Sequence, residues 1–195
     1  MNGAPAAAPS ILVVCTANQC RSPLTASLLE RALRARSIEA NVTSAGTRAV
    51  AGAAVTTGTL DAARGLDADL SEHRATPLSQ TATRGADLVL GLAREHVREA
   101  VAIDAHAWRK TFTLKELVRR GRAAGPRRTD EELASWLARV HDGRTTRDLM
   151  GASPLDDIED PTSSTLVDHT TMAREVDELV VTAVDLAWPP GGTTP

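Results

Sequence analysis

The sequence predicts an α/β domain built on a four-stranded parallel sheet with helices on both of its faces. Short apolar segments rich in β-branched residues alternate along the chain with longer segments of helical periodicity. This alternation is typical of strand–helix–strand units, in which the strands are parallel and buried on both sides. Because 195 residues suffice for one well-packed domain, we expect a single domain over residues 10–188, a disordered N-terminal segment over 1–9 and a flexible tail over 189–195.

The individual elements follow from where these patterns begin and end. The four strands are expected at residues 11–14, 41–44, 87–92 and 111–114. The five helices are expected at about residues 23–36, 57–64, 94–101, 130–141 and 165–187. Gly65 is expected to end the second helix, and Thr165 with Asp168 is expected to form a capping box at the start of the last one.

An arginine-rich segment at about 119–148 departs from this alternation and is interpreted as an insertion. Its arginines flank a polar helix that carries an apolar stripe, formed by Leu133, Trp136, Leu137 and Val140. One interpretation is a lid or a docking surface for an acidic, phosphorylated partner. The other is a solvated insertion that packs its stripe on the domain, and we favour this second interpretation.

The junction of the first strand and the first helix carries the most informative motif. The strand leads into Cys15, and Ser22 followed by Pro23 is typical of a helix N-cap with proline at the first helical position. The loop between them would direct its backbone N–H groups and the positive end of the helix dipole at one small volume. The sequence therefore predicts an anion site in this loop.

Two side chains of this loop have the chemistry that phosphoryl transfer needs. The anion site would stabilise the thiolate of Cys15, which is the nucleophilic form of cysteine. Arg21, six residues later, can bind a phosphate or an oxyanion in a bidentate manner. Asn18 tolerates the positive φ that a tight loop requires. The alternative is that Cys15 is a buried strand-end thiol and Arg21 a solvated residue at the helix start.

Residues 14–23 resemble the phosphate-binding loop of the low-molecular-weight protein tyrosine phosphatases, whose fold is shared by thiol-dependent arsenate reductases. Residues 44–47 resemble the exit of that family's second strand, and Asp160 with Pro161 resembles its general-acid loop. The resemblance implies a phosphomonoester hydrolase, and within that class a protein tyrosine phosphatase.

The resemblance also implies a role for each matched residue. Cys15 would attack phosphorus to form a phosphocysteine, Arg21 would bind the phosphate, and Asp160 would act as general acid and then as general base. The phosphate-binding loop would comprise Thr16, Ala17, Asn18, Gln19, Cys20, Arg21 and Ser22, and the Ser22 hydroxyl would bond the nucleophilic sulfur. A supporting hydrogen-bonded network is implied for Asn18, Ser22, Ser44 and His73, the last from a weaker match over residues 65–75.

Three carboxylates near Asp160 are alternative general acids, namely Asp156, Asp157 and Glu159, with Asp157 the next candidate. Pro161 favours Asp160, because a proline biases the residue before it towards an extended conformation. We expect a raised pKa for the carboxyl of Asp160, since a general acid must be protonated when the leaving group departs.

Cys20 has two interpretations, and both stay open. A second thiol near a reactive cysteine can trap a sulfenic acid as a disulfide, which would make Cys20 a redox partner of Cys15. The alternative is that Cys20 packs beneath the loop.

The chain departs from this family at the walls of the cleft. Where the family usually has aromatic side chains, this sequence has Arg-Ala-Val at 48–50 and Thr-Ser-Ser at 162–164. An aromatic wall would stack on phosphotyrosine, so the substrate could instead be a smaller phosphomonoester, a phosphoserine-like group or a phosphorylated arginine. Two further functions stay open, namely an arsenate reductase that uses an external small thiol and a catalytically weak phosphoprotein-binding module.

Composition narrows the remaining possibilities. A formal net charge of −3 gives no reason to expect nucleic acid as a partner. No segment has the length and apolarity of a membrane span or the pattern of a signal peptide, so a cytoplasmic location is expected. Two cysteines in one loop and five scattered histidines suggest neither a disulfide framework nor a metal site. No metal or organic cofactor is expected, the partner is a phosphorylated protein or a small phosphomonoester, and the oligomeric state stays open.

Overall fold

The computed structural model describes residues 8–163 and 167–190, and its sheet has four parallel strands in the order β2-β1-β3-β4. The strands are β1 (Ser10–Cys15), β2 (Asn41–Gly46), β3 (Leu88–Gly91) and β4 (Thr111–Thr113). Parallel pairing brings Cys15 beside Gly46 and Val14 beside Gly91. The carboxyl ends of the three strands therefore meet at one edge, which is where ligands bind in sheets of this kind.

Seven α-helices cover the two faces of the sheet within the described residues. They are α1 (Arg21–Arg34), α2 (Thr57–Arg64), α3 (Gln80–Gly85), α4 (Arg94–Ile103), α5 (Leu114–Ala124), α6 (Leu133–His141) and α7 (His169–Ala187). Ile11 and Val13 of β1 face a large core built with α1, α2, α5, α6 and α7, whereas Leu12 and Val14 face a smaller one with α3 and α4. Side chains alternate along a strand, so β1 is buried on both sides. The predicted fold class is confirmed.

Several predicted helix boundaries are wrong, and the reasons are local. Helix α1 begins at Arg21, so Ser22 is not its N-cap, and Pro23 lies third in the helix. Proline is tolerated there because the first N–H groups of a helix have no intrahelical partner. Helix α7 begins at His169 with Asp168 as its N-cap, whose carboxylate accepts a hydrogen bond from the backbone of Thr171 at 2.7 Å.

Some predictions fall on residues that the structure does not describe. Residues 1–7 of the predicted disordered segment, residues 191–195 of the predicted tail and Thr165 of the predicted capping box lie outside the described residues. Two helices were missed within the described part. Helix α3 is short and polar, and Thr83 is its one buried residue. Helix α5 has four arginine and lysine residues among its apolar ones, and they make its apolar stripe difficult to recognise in the sequence.

The arginine-rich segment packs on the domain. Trp136, Leu137 and Val140 of α6 are buried in the large core. The guanidinium of Arg144 is buried, forms two hydrogen bonds with Glu116 at 2.7 and 2.8 Å, and lies 3.8 Å from the ring centroid of Trp108. Most of the other arginines in this segment donate hydrogen bonds to backbone carbonyls or to carboxylates of the same chain. These contacts favour the packed interpretation over a docking surface.

The helices within 8–163 and 167–190 include none with the length and apolarity needed to cross a membrane.

Candidate active site

The loop between β1 and α1 curls around the point where the strand ends. Cys15, the last residue of β1, is 2% exposed. Asn18 has a φ of 55° and is buried, as the sequence predicted for a tight loop. Because helix α1 starts at Arg21, its unpaired N–H groups and its positive dipole end face the same loop. The loop therefore has the geometry of an anion site.

A hydrogen-bonded network joins the sulfur of Cys15 to the neighbouring strand. The Ser22 hydroxyl lies 3.0 Å from Sγ of Cys15, within the reach of a hydrogen bond to a thiolate. Nδ2 of Asn18 donates to the hydroxyls of Ser22 at 2.9 Å and of Ser44 at 2.8 Å. The hydroxyl of Ser22 is therefore held at the sulfur by a buried amide.

Asn18 is fixed from two further directions. Its Oδ1 accepts a hydrogen bond from the backbone N–H of Thr76 at 2.8 Å, and its backbone carbonyl accepts one from Nε2 of His73 at 2.9 Å. A carbonyl can only accept, so Nε2 of His73 carries the proton in this contact. The structure brings together all four residues of the expected supporting network.

Gly46, the last residue of β2, packs directly against the loop. A Cβ atom at this position would lie 2.6 Å from the carbonyl oxygen of Thr16 and 2.8 Å from the backbone nitrogen of Asn18. Both distances are shorter than real Cβ contacts. Only glycine allows β2 to approach the loop this closely.

Arg21 joins the loop to the segment that contains Asp160. Its guanidinium is buried and donates to the carbonyl of Ile158 at 3.0 Å and to Oδ2 of Asp160 at 2.6 Å. The side chains are 139 positions apart in the sequence. The structure thus brings Cys15, Arg21 and Asp160 to one end of the sheet.

The pKa of Asp160 is lowered, contrary to the expectation of a raised value. Burial raises the pKa, but hydrogen bonds from Thr162 and the positive charge of Arg21 outweigh burial and lower it below its ordinary value. Thr162 donates to Oδ1 of Asp160 from its backbone at 3.0 Å and from its hydroxyl at 2.6 Å. The carboxylate is the form that pairs with Arg21 when the arginine holds no other anion.

Two of the alternative general acids are engaged elsewhere. The buried carboxylate of Asp156 accepts hydrogen bonds from Arg94 and Arg119. The carboxylate of Asp157 accepts from the backbone N–H groups of Arg94 and Ser153, each at 2.7 Å. Neither bonds Arg21, so Asp160 is the better candidate.

His96 is a buried polar residue of the site that sequence reasoning missed. Its Nε2 lies 3.0 Å from the hydroxyl of Thr16 in the loop. Its Nδ1 has no hydrogen-bond partner in the described part of the chain. Burial, with a smaller effect from the charge of Arg21, lowers the pKa of His96 to about 3, so the imidazole is neutral. The helical periodicity of α4 could have shown that His96 faces inwards with Val97 and Ala100.

Cys20 lies at the end of the loop and is 6% exposed. Burial raises the pKa of its thiol to about 11, despite a hydrogen bond with Thr59 that lowers it. Both cysteines are free thiols. At neutral pH, Cys20 is therefore protonated and a poor nucleophile.

Neither of the segments 48–50 and 162–164, where the family usually has aromatic side chains, contains an aromatic residue. The segment after β2 bonds the loop through the backbone N–H of Arg48, 2.8 Å from the carbonyl of Thr16, and Val50 there is 74% exposed. On the other side, Arg21 and Asp160 line a cavity of about 610 Å³ that also contacts Glu95 and Arg98 of α4. Residues 8–163 and 167–190 contain no group of three His, Cys, Asp or Glu side chains placed to hold a metal ion.

A thiol and an arginine on one anion-binding loop, at the carboxyl edge of a four-stranded parallel sheet, define a class of α/β phosphatases. Residues 10–135 match the family model described as low molecular weight phosphotyrosine protein phosphatase. The chain therefore belongs to this family, and it is a phosphatase.

Similar proteins include an arginine phosphatase as well as tyrosine phosphatases. A protein-arginine-phosphatase of Bacillus subtilis is 34% identical over 55% of this chain and 71% of its own length. The low molecular weight protein-tyrosine-phosphatase Etp of Escherichia coli is 31% identical over 63% of this chain and 80% of its own. A solved phosphatase from T. tengcongensis covers 91% of this chain and 99% of its own, with 26% identity and a TM-score of 0.68.

Proposed function

We propose that this phosphatase hydrolyses a phosphorylated side chain of a protein through a phosphocysteine on Cys15, with Arg21 binding the phosphate and Asp160 transferring the protons. The observation that carries this proposal is the 3.0 Å contact between Sγ of Cys15 and the Ser22 hydroxyl, on a loop that has the geometry of an anion site. A buried structural thiol would need neither the hydroxyl nor the loop.

The first step transfers the phosphoryl group to sulfur. The Cys15 thiolate attacks phosphorus, the S–P bond forms, and the bond from phosphorus to the leaving atom breaks; this atom is an oxygen in phosphotyrosine and a nitrogen in phosphoarginine. The loop N–H groups, with the guanidinium of Arg21, stabilise the three equatorial oxygens as their charge changes. Asp160 gives its proton to the leaving atom and becomes a carboxylate.

The second step returns the enzyme to its starting state. The Asp160 carboxylate takes a proton from a water molecule, whose oxygen attacks phosphorus. The S–P bond breaks, and inorganic phosphate leaves. A hydrogen bond from Ser22 lowers the cost of releasing the sulfur as a thiolate.

The lowered pKa of Asp160 is compatible with the role of general acid, because a bound substrate would raise it. A phosphate dianion on Arg21 would neutralise the charge that lowers the pKa of Asp160, and would add negative charge nearby. Both effects raise the pKa once the substrate is bound. Asp160 would then be protonated in the complex that reacts.

Phosphotyrosine is the first candidate substrate, because this is the class that the family name describes. Phosphoarginine is a second candidate. It is supported by the similarity to the arginine phosphatase and by the sequence, which has Val50 and Thr162 in the two segments where the family usually has aromatic side chains that would stack on phosphotyrosine.

The test compares two peptides of one sequence that differ only in carrying phosphotyrosine or phosphoarginine. We expect the parent protein to release phosphate from at least one of them, Cys15→Ser to release none, and Asp160→Asn to be strongly slowed. A phosphoenzyme trapped by acid quench, present in the parent and absent in Cys15→Ser, supports the intermediate. A folded parent that binds phosphate but hydrolyses neither peptide nor 4-nitrophenyl phosphate contradicts the proposal.

Two earlier alternatives are tested with the same samples. Arsenate reduction with an added small thiol would support the reductase, whose substrate has no ester leaving group for Asp160 to protonate. Phosphopeptide binding without turnover would support the binding module. We propose further that the enzyme acts in the cytoplasm, where thiols such as Cys15 stay reduced, that it needs no cofactor, and that neither nucleic acid nor a membrane is its partner.

A further inference from the structure

The acid loop, residues 156–163, begins with a buried carboxylate that two arginines hold. We propose that Asp156, together with Arg94 and Arg119, is a positioning residue that fixes Asp160 at the distance from the phosphate loop that proton transfer requires. We call these three residues the Asp156 anchor. The proposal rests on the proposed function, because it acts through Asp160.

The anchor joins the loop to two helices that follow neighbouring strands. Oδ2 of Asp156 accepts hydrogen bonds from Nε and a terminal nitrogen of Arg94 at 3.0 and 2.7 Å, and Oδ1 accepts one from Arg119 at 2.8 Å. Arg94 is the first residue of α4, which follows β3, and Arg119 lies in α5, which follows β4. The side chain of Asp156 is only 3% exposed, so its carboxylate is shielded from water, and salt screens these charge-assisted bonds less than it screens pairs at the surface.

The loop stays fixed for the next two residues. Asp157 accepts a hydrogen bond from the backbone N–H of Arg94 at 2.7 Å. Ile158 donates its N–H to the carbonyl of Leu92 at 2.8 Å and accepts from Arg21 at 3.0 Å. Only residue 159 separates this fixed part from Asp160. A shift of Asp156 would therefore move Asp160 relative to the loop that holds the phosphate.

Positioning matters for this step because proton transfer tolerates little displacement. A general acid must lie within about 3 Å of the atom it protonates, and a misplacement of about 1 Å can cost on the order of 100-fold in rate. The effect is also selective. A good leaving group departs without much help, whereas a basic one needs the proton.

The experiment therefore compares kcat/KM for phenyl phosphate, which has a basic leaving group, with kcat/KM for 4-nitrophenyl phosphate, which has a good one. We use kcat/KM because it reports the phosphorylation step, in which the leaving group departs. Asp160→Asn should lower the value for phenyl phosphate far more than the value for 4-nitrophenyl phosphate. Asp156→Asn should show the same selectivity, with a loss of about 10-fold for phenyl phosphate and about 2-fold or less for 4-nitrophenyl phosphate.

A double variant separates positioning from an independent effect. If Asp156 acts through Asp160, then adding Asp156→Asn to Asp160→Asn should not increase the selectivity further. The matched control is Glu131→Gln. Its carboxylate is equally buried and accepts hydrogen bonds from Arg139 at 2.8 and 2.9 Å, but no hydrogen bond or ion pair among the described residues joins either side chain to the acid loop. This control should leave the ratio of the two kcat/KM values unchanged.

Three outcomes with the Asp156→Asn and Asp160→Asn variants would overturn the proposal. Equal losses on both substrates with Asp156→Asn, while Asp160→Asn is selective, would overturn the positioning role alone. A double variant that is more selective than Asp160→Asn alone would also overturn the positioning role. Equal losses with Asp160→Asn would overturn the general-acid assignment and the positioning role with it.

A second variant keeps the test available if Asp156→Asn does not fold. Arg119→Gln removes one of the two arginines from the more exposed side of the anchor, where the Arg119 side chain is 50% exposed. It should shift the ratio in the same direction by a smaller factor. Arg122→Gln makes the same change of charge further along α5 and should leave the ratio unchanged. If both arginine variants behave alike, the proposal is wrong.

Discussion

Oδ2 of Asp160 lies 2.6 Å from a guanidinium nitrogen of Arg21, so the candidate general acid occupies part of the group that we propose binds the phosphate. The Asp160 carboxylate and the phosphate of the substrate therefore compete for the guanidinium of Arg21. When substrate binds, the ion pair between Arg21 and Asp160 weakens, and the Asp160 carboxylate can then be protonated. Binding of phosphate and protonation of Asp160 are therefore coupled.

This coupling predicts that Asp160→Asn binds inorganic phosphate more tightly than the parent does. The substitution removes a competing carboxylate from Arg21 and a negative charge from the site. The pair is partly exposed, so we expect a gain of at most about 1 kcal/mol, which is roughly 5-fold in Kd. Titration calorimetry at pH 7 measures this directly.

The control for this prediction is Asp185→Asn, which removes the same charge from the far end of α7, where Asp185 pairs with Arg36. It should leave the Kd for phosphate unchanged. Weaker phosphate binding by Asp160→Asn would contradict the competition that we infer from the ion pair.

The sequence predicted the loop well because its determinants are local. Cys15, Asn18 and Arg21 lie within seven consecutive positions, and each has a residue type that the conformation or the chemistry of the loop requires. Ser22 shows the limit of local reasoning. It has the sequence signature of an N-cap, but helix α1 begins at Arg21, two residues before the predicted start at Pro23, and the Ser22 hydroxyl bonds the sulfur of Cys15.

Contacts between distant segments could not be predicted from the pattern of a single sequence. Asp156 is an alternative general acid by its sequence position alone, but its carboxylate pairs with Arg94, 62 positions away, which no local pattern relates to it. In the sequence, His96 is one of five scattered histidines. In the structure, α4 brings its Nε2 to 3.0 Å from the hydroxyl of Thr16. Arg21 was predicted from its spacing to Cys15, whereas Asp160 was identified through resemblance to a family, since neither periodicity nor spacing relates residues 139 positions apart.

Gly46→Ala should damage the site without touching any group that reacts. The added Cβ would lie 2.6 Å from the carbonyl oxygen of Thr16, so either the loop or β2 must move. We expect kcat/KM to fall by about 10- to 100-fold, because displacements of about 1 Å have effects of this size. Steady-state kinetics with 4-nitrophenyl phosphate measure the loss.

Gly85→Ala is the matched control for Gly46→Ala. A Cβ at Gly85 meets no atom within 4 Å, so its kinetics should equal those of the parent. If Gly46→Ala also retains full activity, the close approach of β2 is not needed for the shape of the loop.

His96 should stay neutral throughout the range in which the enzyme can be assayed. Its pKa is lowered to about 3 by burial and by Arg21, with Arg98 acting in the same direction and Asp160 opposing it; the carboxylate of Glu95 lies 3.4 Å from its Nε2. We expect the ring-proton NMR signals of His96, assigned with His96→Gln, to show no titration between pH 8 and pH 4.5. Titration near pH 6.5 would contradict the burial that the structure shows.

The same depressed pKa predicts how stability depends on pH. The unfolded chain binds a proton at His96 near pH 6.5, whereas the folded chain does so only near pH 3. The unfolded state therefore binds more protons between these values, and the free energy of unfolding falls as the pH is lowered from 6.5. His96→Gln removes this contribution. The free energy of unfolding of this variant, measured with urea, should therefore fall less between pH 7 and pH 4.5 than that of the parent.

Cys20 should resist alkylation in the folded protein, although it lies in the same loop as the nucleophile. Its thiol is 6% exposed, and burial raises its pKa to about 11, so almost no thiolate is present at pH 8. We expect that folded Cys15→Ser is not alkylated by iodoacetamide at pH 8 in the time in which every molecule of the parent gains one label. Intact mass measures the number of labels. In urea, the same variant should take up one label, which shows that the thiol is present. Rapid labelling of folded Cys15→Ser would mean that Cys20 is accessible and ionised, and would support its role as a redox partner of Cys15. Slow labelling would favour the other interpretation, in which Cys20 packs beneath the loop, because a protonated, buried thiol attacks a sulfenic acid slowly.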